Sequence, residues 1–166
     1  GAASGVVAGL VAITPACGFI VPWAAVVLGL IAGAACAFTV GLKYRLGFDD
    51  SLDVFGVHLV GGVIGCLALG FVATTIANPA GKNGLLYGGG WSVLGTQTLG
   101  VVAVLAYSFT VTLVIGWVIN KVMGFRVDEE AEVTGIDLDQ HLETAYDFSA
   151  AGGGALGQRT ARATHT

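Results

Sequence analysis

Residues 19–42 read FIVPWAAVVLGLIAGAACAFTVGL, 24 consecutive positions without a charged side chain. At about 1.5 Å per residue such a helix reaches about 36 Å, enough to cross a hydrocarbon core of about 30 Å with some tilt. This run decides the class: an all-α polytopic membrane protein. Residues 51–78 repeat the pattern, with His58 the one ionisable residue between Val54 and Asn78. Residues 91–121 supply a third span, uncharged from Trp91 to Asn120. Residues 1–13 are apolar but too short to span, so this helix is expected to be truncated, its front lying in a missing N-terminal part.

Composition agrees. The 166 residues are 55% hydrophobic and 11% charged, with 27 glycines, far from the roughly one quarter charged that is usual in soluble domains. The chain opens on Gly1 with no methionine, basic n-region or cleavage site, so its first apolar stretch is not a signal peptide and the sequence reads as a fragment. The net charge of −4 belongs to the C-terminal region, because Asp128, Glu129, Glu130, Glu132, Asp137, Asp139, Glu143 and Asp147 all follow Met123.

The connectors are 14–18, 43–53 and 79–90, where Pro, Gly and Asn supply turn conformations. Lys43 and Arg45 share one side with Lys121 and Arg126, while the other side carries only Lys82. Retention of positive loops in the cytoplasm therefore predicts a cytoplasmic C-terminus in a multi-pass cell-membrane protein. Trp23 and Trp91 fall near the outer helix ends and Tyr44 and Trp117 near the inner ends, as interfacial rings should. Glycines at Gly1/Gly5, Gly5/Gly9, Gly29/Gly33 and Gly61/Gly65 predict close helix packing, without bearing on function. The expected organisation is a transmembrane region over 1–121, a cytoplasmic regulatory region over 122–148 with partial order, and a disordered tail over 149–166, whose small residues cannot offset their ordering entropy.

His58 carries the functional argument. A charge at mid-bilayer costs at least about 2.5 to 3.5 kcal/mol, so an intramembrane ionisable residue marks a pathway or site by default. Neutral imidazole donates and accepts a hydrogen bond, so it can line a route for a small polar solute and relay protons. The competing reading is a histidine that only bonds a neighbouring helix's carbonyl. On an unbroken α-helix His58 stacks below Gly61, Gly62, Gly65 and Cys66. Depth is a difficulty, since a helix starting near Ser51 puts His58 only about 10 Å from its start. Either that start is recessed in the bundle or the site lies toward the cytoplasmic half.

Asp50 and Asp53 read as a structural cap, an N-cap acid followed by one in the first turn. Thr14 beside Pro15 could turn a hydroxyl toward a water-filled cavity or simply form a tight turn. Cys17, Cys36 and Cys66 are scattered through apolar sequence and read as packing residues, so no metal and no cofactor is expected. Ser4 with His58 as an intramembrane hydrolase finds no support, because the glycine two residues before the serine and any oxyanion site are missing. Phosphate-binding loops, HExxH and basic aromatic patches are absent from the sequence, which removes the soluble enzyme classes and nucleic-acid binding and leaves a chain expected not to be an enzyme.

The run Ala8-Gly9-Leu10-Val11-Ala12-Ile13-Thr14-Pro15-Ala16-Cys17-Gly18-Phe19 resembles the end of helix eight and the following turn in ammonium transporters of the Amt/Mep/Rh family. Asp49 to His58, with DVFGVH at its centre, resembles the start of that family's helix ten. Gly124-Phe125-Arg126-Val127, Gly135-Ile136-Asp137, His141 to Glu143 and Ala145-Tyr146 are similar to its cytoplasmic tail, with Leu142 departing from an expected glycine. The resemblance covers residues 1–148. It implies helices eight to eleven of an eleven-helix bundle, a homotrimer with one pore per subunit, and transport of ammonium/ammonia across the lipid bilayer. Of the family's two facing pore histidines only the second maps here, onto His58; Thr14 and Val54 are lesser pathway candidates. The vestibule and gate belong to earlier helices, so the fragment alone is expected not to conduct. Arg126, Glu143 and Tyr146 would belong to a tail that couples subunits and contacts a PII-type signalling protein. A non-conducting ammonium sensor of the same family is the alternative.

Overall fold

The computed structural model describes residues 1–47 and 49–141, and among these it is helical with no strand. Helix α1 covers Ala2–Ile13 and α2 Pro22–Leu46. A π-helix, Val54–Leu59, runs directly into α3, Val60–Val72. After a 3-10 turn at Leu85–Tyr87 come α4, Ser92–Val122, then α5, Glu129–Thr134, and α6, Ile136–His141. Among the described residues three stretches are long and apolar enough to cross a membrane: Pro22–Leu46, Val54–Val72 and Ser92–Val122.

The chain divides into two units, Gly1–Thr110 and Val111–Thr166. The core of the first is a ladder with a period of four. Ala8, Ala12, Ala16, Ile20, Ala24, Leu28, Ala32 and Cys36 are buried, and Val57, Gly61, Gly65, Leu69 and Ala73 meet them from the π-helix, α3 and the residue that follows it. Residues four apart share a helix face, and small ones let backbones approach where lipid supplies no hydrophobic drive between helices. At Gly65 the approach is closest: a Cβ there would collide with the Ala12 carbonyl and stand 2.8 Å from Pro15 Cγ. Gly61/Gly65 thus serve the close packing expected of them. At Gly5, Gly9, Gly29 and Gly33 an added Cβ would meet nothing within 4 Å, so on α1 and α2 it is the alanine face that packs.

The boundaries shift from the sequence reading for physical reasons. Pro22 lacks an amide proton and fits the first helical turn, so α2 begins there and 19–21 join the connector. α2 runs on past residue 42 to Leu46 and stops at Gly47, whose φ of 71° is left-handed and whose amide donates to the Lys43 carbonyl at 2.9 Å. The span expected over 51–78 ends at Val72. Ala73 turns extended, the Thr74 amide donates to the Phe19 carbonyl at 2.9 Å, and the Gly84 amide donates to the Ala73 carbonyl at 2.8 Å. Residues 73–78 therefore belong to a loop tied back to the α1–α2 connector.

In the second unit, α5 opens with Glu129, Glu130 and Glu132 in its first turn, where carboxylates favour the positive end of the helix dipole. Arg126 donates through Nε and Nη2 to one Glu132 oxygen, at 3.1 and 2.9 Å. Lys121 lies over the Trp117 ring, 5.1 Å from its centroid. Glu143, Tyr146 and the tail expected to be disordered over 149–166 lie outside the described residues.

Candidate functional site

His58 sits inside the π-helix, and the turn around it is held on two sides. Below it, the Asp50 carboxylate accepts from the Val54 amide at 2.7 Å and the Phe55 amide at 3.0 Å, so it satisfies two of the orphan donors at the helix start. Asp53 does something else. It stands just before the helix rather than in its first turn, in the left-handed region at φ 56°, and its carboxylate pairs with Lys43 of α2. The Lys43 ammonium also donates to the Asp50 carbonyl at 2.9 Å. Among the described residues Asp53 is the one non-glycine with positive φ, a conformation that persists only where surrounding contacts over-determine it.

On the flank facing α2, Gly56 makes a backbone-to-backbone approach. A Cβ there would lie 2.7 Å from Val40 Cγ2 and 3.1 Å from the Val40 nitrogen. The Thr39 hydroxyl reaches the Gly56 carbonyl at 3.0 Å, and Cys36 Sγ reaches the Val57 carbonyl at 3.7 Å. These contacts place the π-turn along α2. Gly56 meets α2 at Thr39, seven residues or about 10 Å back from the helix end, and Val57 meets it at Cys36, near the helix middle. The start of the π-helix is recessed along α2, and His58 follows a residue level with the middle of α2 although few residues precede it in its own helix.

The imidazole lines a cleft of ≈ 640 Å³ with Thr14, Gln97 and a wall of apolar residues that includes Val11, Pro15 and Val104. His58 is exposed to this cleft, and no hydrogen bond from its ring to a helix carbonyl forms among the described residues. The Thr14 hydroxyl donates to the Leu10 carbonyl at 2.6 Å, so what it offers the cleft is the acceptor side of its oxygen. His58 and Thr14 are thus brought together. Val54 is not: it lines a separate hollow of ≈ 480 Å³ with Asp49, Asp50, Phe55 and Leu59. Of the residues expected to stack with His58, Gly62 and Cys66 share the cleft, while Gly61 and Gly65 turn into the core. Ser4 does not line the cleft.

Gln97 is the polar group that the sequence reading misses. It is an uncharged amide in an apolar span, invisible to a search for ionisable residues, and its position on α4 is the available signal. It also borders a smaller hollow of ≈ 250 Å³ that includes Lys82, Ser92 and Thr96. Among the described residues no group of acidic, histidine and cysteine side chains is placed to hold a metal ion.

Comparison with known proteins gives one consistent answer. The sequence model of the Ammonium Transporter Family matches residues 1–146. An ammonium transporter of Mycobacterium tuberculosis is 50% identical over 164 residues, covering 96% of this chain and 34% of the relative. One from Bacillus subtilis is 45% identical over 150 residues, covering 90% of this chain and 37% of the relative. The crystal structure of Saccharomyces cerevisiae Mep2 superposes with a TM-score of 0.70 at 38% identity, over 76% of this chain and 30% of that one. The chain spans about a third of the length of the curated relatives it matches.

Proposed function

The chain belongs to the ammonium transporter family, and from that premise we propose that it forms the C-terminal part of a subunit that carries ammonium/ammonia across a cell membrane, with His58 in the pathway. The observation that carries this reading is an imidazole inside a spanning helix, opening with the Thr14 hydroxyl onto a cleft whose remaining wall is mostly apolar. An ammonium ion entering such a wall loses hydration that the lining cannot replace, whereas ammonia loses far less. A ring nitrogen with a free lone pair can take the proton as an N–H bond of ammonium breaks, leaving ammonia to pass, and the other ring nitrogen can donate to the ammonia lone pair. Thr14 supplies an acceptor for ammonia N–H groups beside the ring.

The orientation follows the same reading. The α2 end carrying Lys43 and Arg45 and the α4 end carrying Lys121 belong on the cytoplasmic side, as positive loops do. The family resemblance implies a homotrimer in the bilayer and a C-terminal region, Arg126 included, that meets a PII-type signalling protein.

The test is uptake into vesicles by the full-length protein carrying His58→Ala. We expect flux to fall at least about a hundredfold, the lower end of the range for losing a positioned acid–base group. Unchanged flux with unchanged selectivity for ammonium over potassium would sink the assignment.

A further inference from the structure

We propose that Thr39 is a positioning residue for His58, acting with Lys43 one turn further along α2 by holding the π-turn open; the inference rests on His58 lining the pathway. In the turn Val54–Leu59 the Val60 amide reaches back five residues to the Phe55 carbonyl and also meets Val57, passing over the Gly56 carbonyl, its ordinary partner in an α-helix. Thr39 supplies a donor there. Its hydroxyl oxygen lies 2.9, 3.1 and 3.0 Å from the carbonyls of Ala35, Cys36 and Gly56. One hydroxyl proton serves one acceptor at a time. Ala35 and Cys36 lie inside α2, where amides four residues on satisfy their carbonyls, so Gly56 is the acceptor that gains most.

The grip continues on either side of Thr39 along one face of α2. Cys36 holds the Val57 carbonyl, and Lys43 holds the Asp50 carbonyl and the carboxylate of left-handed Asp53. A π-turn carries one residue more than an α-turn. Relaxation to α geometry would therefore rotate His58 by about 100° relative to α3, the angle one residue occupies, and swing the ring from the cleft side toward the face of Gly61 and Gly65 that packs in the core. The hydroxyl touches no transported species; it sets where the imidazole points.

The experiment compares Thr39→Val, which keeps shape and removes the donor, with Thr39→Ser, which keeps the donor, in the full-length protein reconstituted in vesicles. Thr39→Val is expected to lower the maximal uptake rate about fivefold while the half-saturating ammonium concentration stays within about twofold, and Thr39→Ser to restore the rate. Thr39→Val transport at the unmodified rate, or Thr39→Ser as impaired as Thr39→Val, overturns the proposal. His58→Ala, run alongside, separates the two readings: if it impairs flux and Thr39→Val does not, positioning alone fails; if neither impairs flux, the pathway assignment fails. Should Thr39→Val not assemble, Asp53→Asn, which weakens the Lys43 grip at constant size, is expected to lower the maximal rate in the same way, and an unmodified rate there overturns the proposal equally.

Discussion

Helices α2 and α4 are almost equally apolar, with mean hydropathies of 2.3 and 2.2 over their most apolar windows, yet one buries a face and the other does not. α2 buries Ala24, Leu28, Ala32 and Cys36; α4 buries nothing among its 31 residues. The difference lies in where the small side chains stand. α2 repeats alanine or another compact residue every four positions, giving it one flat face against α1 and α3. α4 carries large side chains on every side, Leu99, Val104, Leu105, Tyr107 and Phe109 among them, and all of these stay exposed. Hydropathy places a segment in the membrane, and residue size decides which face meets a neighbour.

The largest test of that contrast is Gly65→Leu. A branched side chain there meets the Ala12 carbonyl, part of a backbone that cannot rotate away, so assembly should fail, at a cost above about 3 kcal/mol. Recovery of stable protein at normal yield from membranes would show that the α1–α3 crossing is softer than it looks. Next is a paired truncation. Leu28→Ala, at a 4% exposed position, should cost about 3 kcal/mol by thermal unfolding in detergent, and Leu113→Ala, at 61%, about 0.5 kcal/mol or less. Equal losses would mean that α4 rests on another protein surface in the assembled subunit. Smallest is Asp50→Ala, which should cost about 1 kcal/mol by removing acceptors from the Val54 and Phe55 amides, read as faster hydrogen exchange at those two amides.

Much of this arrangement is legible in the residues, and the misses share a cause. Length and absence of charge delimit α2 and α4 to within a few positions, because those properties belong to the segment itself. The end of α3 is different: Ala73 to Ala77 are helix-compatible on their own, and it takes the Phe19 carbonyl, more than fifty residues earlier in the chain, to draw Thr74 out of the helix. The π-turn leaves no mark on hydropathy either, since one added residue does not change composition. For that reason Gly61 and Gly65 read as neighbours of His58, although they face the core. Asp53 reads as a first-turn acid because its partner, Lys43, lies in another helix. That His58 lines the cleft with Gln97 rests on the fold: the imidazole stands out in an apolar span, whereas a neutral amide such as Gln97 does not.

The contact at Gly56 has a further effect, on leakage. With the Val40 nitrogen 3.1 Å from where a side chain would begin, α2 and the π-turn touch too closely for a water molecule to stand between them at that level. A file of water along that seam would let protons run down the membrane gradient by hopping from one molecule to the next. The glycine acts as a gasket at that level, closing the seam between α2 and the π-turn.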